Sequence, residues 1–272
     1  MINSLKDILV VCDMDNTLLT AKEGIPECNR ATIELFCAMG GRFTVATGRP
    51  PESIRAALKG LPLSCPAIAC GGSVLYDFHT DEVKMIRCLN EESAKQAISD
   101  VLEQFPEIGV EIMVEEGRMY VVQANQYVMA HLRDEQLSCI MCPLDQVPKN
   151  WAKVVFAANP AILFKLHEFM SERSYPDICF VSTNMIYYEI MPKETGKAQA
   201  LKELCRQEMI PLENTVAIGD YFNDIDLMKA AGQAVAVANA PQEVKVAANE
   251  VVSCCMDGGV GEYLYSLVKR YT

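Results

Sequence analysis

Short apolar runs alternate with amphipathic stretches along most of the chain. The runs have the length and the β-branched content of strands, and the stretches between them carry apolar residues at helical spacing. This alternation is typical of parallel sheets whose strands are joined by crossover helices. The pattern therefore predicts an α/β fold.

The first and last thirds of the chain share this strand–helix pattern. They contain predicted strands at residues 7–12, 42–46, 67–70, 74–76, 215–218 and 235–237. They also contain predicted helices at residues 26–39, 51–59, 196–208, 223–230, 241–248 and 259–269. Gly40 and Gly41 end the first helix, and proline lies in the first turn of the second. The two thirds are expected to form one βαβ unit.

The middle of the chain has an alternation of its own. Its predicted helices are residues 91–105, 126–137 and 160–173. Its predicted strands are residues 110–114, 118–122, 153–157, 178–182 and 186–190, the first two forming a hairpin over Glu116 and Gly117. We predict that residues 83–190 form a separate α+β domain inserted into a core of residues 1–82 and 191–272.

The net charge of the chain restricts the kinds of molecule that it is expected to bind. The 272 residues are 50% hydrophobic, which predicts a globular chain, and carry a formal net charge of −12. Such a surface repels nucleic acid and anionic lipid, so neither is expected as a partner. An anionic ligand would be bound only where the site supplies its own cations.

The N-terminal segment and the cysteines indicate the compartment. The apolar run at residues 8–12 is far shorter than the ~20 residues that a bilayer requires, and no signal-peptide pattern precedes it. The twelve cysteines are scattered and lack a complete zinc-ligand spacing, which indicates reduced thiols packed as small hydrophobes. A cytoplasmic location is expected.

Polar side chains follow the predicted strands where each one ends, which is where open α/β sheets bind ligands. They occur in the segments Asp13-Met14-Asp15-Asn16-Thr17, Thr47-Gly48-Arg49, Gly71-Gly72 and Gly219-Asp220, with Asn223 and Asp224 after the last. The sequence therefore gathers four carboxylates at one edge of the sheet. Four carboxylates need a cation, and hard oxygen ligands with few histidines favour Mg²⁺.

The chain resembles the haloacid dehalogenase superfamily, in its subgroup of Cof-type phosphatases. The segments that carry the resemblance are LVVCDMDNTLL, FTVATGRP, IACGGSVLYD, EIMPKETGKAQAL, AIGDYFNDIDLMKAAG and the tail from VANAPQEVKVAANEV to GGVGEYL. The resemblance implies a Rossmann-like core, a mobile α/β cap and Mg²⁺-dependent hydrolysis of phosphate monoesters, often sugar phosphates or small cofactors. A small phosphorylated metabolite is the implied partner.

The resemblance also implies a role for each polar residue at the strand ends. Asp13 would be the nucleophile and a metal ligand. Asp15 would act as acid and then as base, and its backbone carbonyl would also bind Mg²⁺. Lys197 would pair with Asp13 and the phosphoryl group. Asp220 would bind the metal directly, with Asp224 beside it or behind it.

Phosphate oxygens would be held by a further set of groups around these acids. The implied phosphate-binding residues are Met14, Thr47, Gly48, Arg49, Gly72, Lys197 and Asn223, and Thr47 also counts among the catalytic residues. Cap residues would set specificity, with Glu111, Met113, Arg118, Tyr120 and Tyr187 as candidates.

Four residues depart from the family pattern. Asn16 replaces a glycine, and because asparagine tolerates positive φ the turn is expected to survive. Gly71 replaces an asparagine, Ala198 replaces a glycine, and Tyr221 places a bulky ring by the metal loop. None of the four removes a proposed catalytic group, but Gly71 and Tyr221 bear on substrate preference.

Two alternative functions share the fold. A phosphotransferase or phosphomutase would use the same phosphoaspartate but pass the phosphoryl group to a second substrate instead of water. A non-catalytic binding protein is the other alternative, against which the intact set of Asp13, Asp15, Lys197 and Asp220 argues. The sequence assigns neither a particular substrate nor an oligomeric state.

Overall fold

The computed structural model describes residues 4–20, 22–85, 87–114, 117–183 and 185–271. Its strands are β1 (Leu9–Cys12), β2 (Arg42–Val45), β3 (Ala67–Ala69), β4 (Val74–Asp77), β5 (Glu82–Met85), β6 (Gly109–Val114), β7 (Met119–Gln123), β8 (Cys139–Met141), β9 (Trp151–Ala157), β10 (Ile178–Ser182), β11 (Tyr187–Pro192), β12 (Thr215–Gly219), β13 (Gln233–Val237) and β14 (Glu250–Val252). Its α-helices are α1 (Glu27–Ala38), α2 (Pro51–Leu58), α3 (Glu91–Gln104), α4 (Gln126–Asp134), α5 (Pro160–Ser171), α6 (Lys197–Gln207), α7 (Ile225–Ala230), α8 (Gln242–Ala247) and α9 (Gly259–Tyr271).

A parallel five-stranded sheet forms the core of the first and last thirds, in the order β14-β13-β12-β1-β2. Strand β1 lies inside the sheet, between β12 and β2, and alternate side chains of a strand point to opposite faces. Val10 packs with Phe36 and Leu264 of the helices on one face, whereas Val11 packs with Leu201 of α6 on the other. Helices on both faces explain why β1 is a continuous apolar run. The predicted α/β fold is confirmed.

A second sheet has six strands in the order β10-β11-β9-β6-β7-β8, antiparallel except for the β7–β8 pair. Helices α3 and α5 cover one face, where Val101 and Leu166 pack against Phe156. Charged residues of β6, β9 and β11 are nevertheless buried in this sheet: Glu111, Lys153 and Glu189. Buried charges in mid-sheet require partners, and those partners lie at the site described below.

A small antiparallel sheet, β3-β4-β5, adjoins the edge of the core sheet. Ala46 and Ile68 form a parallel bridge, and the Thr47 amide donates to the Ile68 carbonyl at 2.8 Å. The bridge brings together the loops that follow β2 and β3. These are two of the loops from which the sequence predicts a phosphate site.

Some predicted boundaries were wrong. The first strand begins at Leu9 because Leu5–Asp7 form a 3-10 turn, and α7 begins at Ile225 after a 3-10 turn at Phe222–Asp224. Strands β5, β8 and β14 were not predicted, because each has only three or four residues and no long apolar run.

The predicted hairpin at β6 and β7 is confirmed, although Glu116 of its turn lies outside the described residues. The Gly117 amide, at φ 77°, donates to the Val114 carbonyl at 2.9 Å. In the described part of the chain, every helix is too short or too polar to cross a bilayer.

Candidate active site

Asp13 directly follows β1, at the carboxyl edge of the core sheet. Its amide donates to the Ile218 carbonyl at 2.8 Å, which continues the ladder between β1 and β12 and fixes the start of the loop. The loop then turns through Asn16 at φ 60°, and the Asn16 amide donates to the Leu19 carbonyl. Asparagine tolerates this left-handed conformation. The expected survival of the turn is confirmed.

Lys197 is the first residue of α6 and is buried beneath Asp13. Its ammonium group donates to Asp13 Oδ1 at 2.5 Å and to Asp224 Oδ1 at 2.7 Å. Gly72 makes this position possible, since a Cβ at Gly72 would lie 2.3 Å from the Gly196 carbonyl carbon. Gly72 thus packs against the start of α6, and its predicted contact with phosphate stays a prediction.

Three buried carboxylates meet at this edge. One oxygen from each of Asp13, Asp220 and Asp224 lies within 4.8 Å of the others. Thr17 donates to Asp220 Oδ1 at 2.9 Å, and the amides of Asp220 and Tyr221 donate to Asp224 Oδ2 at 3.1 and 3.2 Å. Lys197 supplies one positive charge, so the cluster with its lysine has a formal charge of −2.

The cluster changes the pKa of its members. Burial, and then the charge of Asp224, raise the pKa of Asp13 well above its ordinary value and that of Asp220 to about 6. Burial alone would lower the pKa of Lys197, but the charges of Asp13 and Asp224 outweigh it and raise the pKa. The raised pKa values show that the ionised carboxylates are disfavoured here, and an additional positive charge would stabilise them.

The donor set fits a divalent hard cation. A charge of −2 matches one such ion, and carboxylate oxygens are the ligands that Mg²⁺ prefers. In the described residues, Asp13 and Asp220 each keep one carboxylate oxygen without a hydrogen bond, whereas both oxygens of Asp224 are engaged. Asp13 and Asp220 are therefore better placed to bind a metal than Asp224.

A cavity of about 440 Å³ opens above these carboxylates. The core contributes the following lining residues: Asp13, Asp15, Asn16, Thr47, Gly48, Arg49, Asp220, Tyr221 and Asn223. The structure thus brings most of the predicted site residues to one space. Met14 is fully buried beside it, and Tyr221 lines the cavity from the loop after β12.

Arg49 and Asp15 form a bidentate ion pair in the core wall of the cavity. The Arg49 Nε and Nη2 atoms donate to the two Asp15 oxygens, each at 2.8 Å, and Nη1 donates to Ser53 at 2.7 Å. The Arg49 amide donates to Thr47 Oγ1 at 3.1 Å, which leaves the Thr47 hydroxyl proton free to donate. Arg49 therefore orients the predicted acid–base residue.

The second sheet and α4 supply the opposite wall, which the sequence did not predict beyond naming Tyr187. Its residues are His131, Glu135, Lys153, Val155, Thr183, Met185, Tyr187 and Glu189. The Lys153 ammonium donates to Glu189 Oε1 at 2.8 Å and to the Gly48 carbonyl at 2.9 Å, which ties this wall to the loop after β2. The sequence could not predict this contact, because a single lysine in a strand such as β9 does not indicate which loop it will reach.

His131 lies between two carboxylates in this wall. Its Nδ1 atom is 2.7 Å from Glu111 Oε2, and its Nε2 atom is 3.4 Å from Glu135 Oε1. Burial alone would lower the pKa of His131, but the hydrogen bonds and charges of the two glutamates raise it to about 10. Burial would raise the pKa of Glu135, yet His131, Arg49 and Lys153 lower it to about 2. Both groups are charged at neutral pH.

This arrangement predicts a pH-dependent contribution to stability. The folded pKa of His131, about 10, lies above the ordinary 6.5, so the contribution is complete below pH 6.5 and is lost as pH rises towards 10. The shift corresponds to about 5 kcal/mol at most. In denaturant titrations, the difference in unfolding free energy between the wild type and His131→Gln should shrink between pH 6.5 and 10.

His167→Gln is the matched control, because the His167 ring contacts the Tyr188 hydroxyl and no carboxylate among the described residues. Its difference from the wild type should stay small across the same range. A His131→Gln difference that does not change with pH would contradict the charged state assigned to His131.

Comparisons with known proteins agree with this geometry. Residues 10–264 match the family of haloacid dehalogenase-like hydrolases. Pyridoxal phosphate phosphatase YbhA of Escherichia coli is 26% identical, over 95% of this chain and 97% of its own. The 5-amino-6-(5-phospho-D-ribitylamino)uracil phosphatase YwtE of Bacillus subtilis is 24% identical, over 95% and 97%.

A solved haloacid dehalogenase-like hydrolase from Bacteroides thetaiotaomicron has the same fold. It superposes with a TM-score of 0.86 at 22% identity, over 96% of this chain and 99% of its own. The family match covers both the loop after β1 and the loop after β12. The chain therefore belongs to the haloacid dehalogenase-like hydrolases, as a phosphoric monoester hydrolase of the Cof-type subgroup.

Proposed function

We propose that the protein is a Mg²⁺-dependent phosphatase that hydrolyses a small phosphorylated metabolite through a phosphoaspartate on Asp13. The observation that carries the proposal is the buried cluster of Asp13, Asp220 and Asp224 with Lys197 at the floor of the cavity. The cluster combines a nucleophile with a fixed ammonium group and an unbalanced charge of −2. Phosphoryl transfer depends on such positioning and charge stabilisation.

In the first half-reaction, Asp13 attacks the phosphorus atom of the bound ester. The bond from Asp13 oxygen to phosphorus forms as the bond to the ester oxygen breaks, and Asp15 gives its proton to the leaving alcohol. Lys197, already in contact with Asp13, offsets the repulsion between the carboxylate and the phosphate. The Thr47 hydroxyl, the amides of Met14 and Gly48, and Asn223 hold the phosphate oxygens.

In the second half-reaction, Asp15 removes a proton from water. The water oxygen forms a bond to phosphorus, the bond to Asp13 breaks, and inorganic phosphate leaves while the Asp13 carboxylate is restored. Arg49 keeps Asp15 at the cavity wall and must release one or both oxygens when Asp15 takes up the proton. Asp15 therefore serves both half-reactions from one position.

Mg²⁺ would be held by Asp13 and Asp220, with the Asp15 backbone carbonyl as a further ligand and Asp224 behind them. When bound, the ion supplies electrostatic stabilisation of the phosphoryl oxygens. Asp224 would not bind the ion directly, because its two oxygens orient Lys197 and the backbone of the loop after β12.

The six-stranded sheet with α3, α4 and α5 would be the cap, corresponding to residues 83–190 inserted into a core of residues 1–82 and 191–272. Its charged wall closes the cavity opposite Asp13. Exclusion of bulk water by this wall would strengthen the electrostatic effect of Lys197 on the phosphate. The wall would also be the surface that contacts the leaving alcohol.

The substrate would be a small phosphate ester. The two relatives act, by name, on pyridoxal phosphate and on a phosphorylated ribitylaminouracil, and both are small metabolites. The cavity of about 440 Å³ has room for an alcohol of that size beside its phosphate. The net charge of −12 gives no general attraction for nucleic acid.

Metal dependence tests the proposal directly. Release of phosphate from an aryl phosphate should require Mg²⁺, stop in excess chelator and return when Mg²⁺ is added. Ca²⁺ should compete without supporting turnover, because its larger and looser coordination misplaces the ligands.

Asp220→Asn should weaken Mg²⁺ binding measured by calorimetry, whereas Asp226→Asn, on the exposed side of α7, should not. Full activity in chelator would refute the metal role.

The acceptor of the phosphoryl group separates a phosphatase from a phosphotransferase. Turnover in ¹⁸O-labelled water should place the label in the released phosphate. Added alcohols or sugars should take up little of the phosphoryl group. Stoichiometric transfer to a second metabolite would favour the phosphotransferase alternative.

A further inference from the structure

Two neighbouring cavities share one wall. The first is the cavity above Asp13, and the second, of about 710 Å³, lies between α2 and the end of α4. Arg49, His131, Glu135 and Tyr187 line both. An alcohol bound above Asp13 therefore meets this wall.

The shared wall carries a net negative charge. Glu111, His131 and Glu135 form one contact group, with two carboxylates around a single imidazolium. The two neighbouring cations do not balance this charge, since Arg49 is already paired with Asp15 and Lys153 with Glu189. The His131 ring also packs against the Tyr187 ring, with 4.8 Å between centroids, so the group is held in place on its cavity side.

The two glutamates keep unused hydrogen-bonding capacity. Glu111 Oε1 and Glu135 Oε2 are buried and accept no hydrogen bond from any described residue. A buried carboxylate oxygen without a donor makes the folded state less stable. Glu111 has no exposed surface and does not line the cavities, whereas Glu135 lines both. Glu135 is thus the member of the group that a ligand can reach.

We propose that Glu135 is a specificity-determining residue that accepts a hydrogen bond from a hydroxyl or ammonium group of the leaving alcohol. The enzyme would then prefer phosphate esters whose alcohol is neutral and hydroxylated or cationic, and would reject alcohols with a second anionic group. His131 and Glu111 act as positioning residues that fix Glu135. This inference rests on the proposed phosphatase function.

A second anionic group on the alcohol would be disfavoured for two reasons: it would be repelled by the charge of Glu135, and it would offer Glu135 no hydrogen-bond donor. A carboxylate or phosphate on the alcohol would face Glu135 across the cavity, where like charges repel. A hydroxyl or ammonium group would instead donate a hydrogen bond to the Glu135 carboxylate, whose side chain is 19% exposed and lines the cavity. The preference between the two kinds of ester therefore combines a hydrogen bond to the favoured alcohol with charge repulsion of the disfavoured one.

Three esters of equal size test this preference. Glucosamine 6-phosphate, glucose 6-phosphate and 6-phosphogluconate each have six carbons and differ in carrying an ammonium group, only hydroxyls or a carboxylate. We expect kcat/KM of the wild type to fall in that order, by at least about tenfold from first to last. Glu135→Gln should reduce the ratio between the first and last esters by about tenfold.

Asp134→Asn is the matched control. Asp134 precedes Glu135, is exposed and lines only the second cavity, so its substitution removes the same charge without touching the shared wall. Its ratio should stay within about twofold of the wild type. An equal change in both variants would assign the preference to the general negative field and overturn the role of Glu135.

The outcomes separate this inference from the proposed function. If an aryl phosphate is hydrolysed with Mg²⁺ but Glu135→Gln leaves the ratio unchanged, the role of Glu135 is wrong and the phosphatase stands. If no ester is hydrolysed, the proposed function fails, and the dissociation constants of the same three esters, measured by calorimetry, still test the wall. If Glu135→Gln does not fold, the wild-type order decides, since a preference for 6-phosphogluconate overturns the inference.

Discussion

Asp13→Asn is expected to reduce phosphate release by roughly four orders of magnitude or more, because it removes the proposed nucleophile at almost constant volume. The fold should be unaffected. Asp13 is buried beside two other carboxylates, and burial and Asp224 already raise its pKa, so a neutral amide relieves repulsion in the metal-free protein. The variant should therefore unfold at no lower denaturant concentration than the wild type in chelator.

Single-turnover measurements check this result. The wild type, quenched in acid after mixing with ³²P-labelled ester, should retain label on the chain, and Asp13→Asn should retain none. Asp226→Asn serves as the control, since it makes the same change at an exposed position two residues beyond Asp224. Turnover by Asp13→Asn within tenfold of the wild type would exclude the covalent mechanism.

Lys197→Met is expected to impair both stability and catalysis. The ammonium group bridges two buried carboxylates, and removal of one partner from a buried ion pair costs about 3–5 kcal/mol. Loss of the same charge from the transition state should lower kcat about 100- to 1000-fold. The stability loss should be largest in chelator, because the proposed Mg²⁺ would offset part of the uncompensated charge.

Denaturant titrations with and without Mg²⁺ separate these effects. Lys202→Met is the control, since Lys202 lies exposed on the same helix and its replacement should change the unfolding free energy by less than about 0.5 kcal/mol. If Lys197→Met changed the unfolding free energy in chelator no more than Lys202→Met, the bridge between Asp13 and Asp224 would contribute nothing to stability.

The core half of the site was predictable because its residues follow strands. An apolar run such as β1, buried on both faces, gives both a central strand and the position of its carboxyl end. Asp13, Thr47 and Asp220 follow three such strands, so their proximity required only that the strands be parallel neighbours. Their chemical roles came from the resemblance to the family and still await the experiments above.

The opposite wall could not be predicted in the same way. His131 and Glu135 are four residues apart on one side of α4 and its end, a spacing that any solvated helix shares. What makes them unusual is burial against Glu111, which comes from a strand 20 residues earlier. Tertiary packing alone decides that contact. Short strands such as β8 escaped prediction because three residues are too few to distinguish a strand from a loop.

The contact at Gly72 has a consequence for how this enzyme can diverge. A side chain there would collide with the backbone at Gly196, displacing α6 and, with it, the ammonium group beneath Asp13. Among the described residues, Glu135 makes no hydrogen bond to Asp13, Lys197 or the other residues at the floor of the cavity. Descendants of this chain could therefore acquire new substrates by successive changes in the wall, while drift at position 72 would end the activity before any new preference arose.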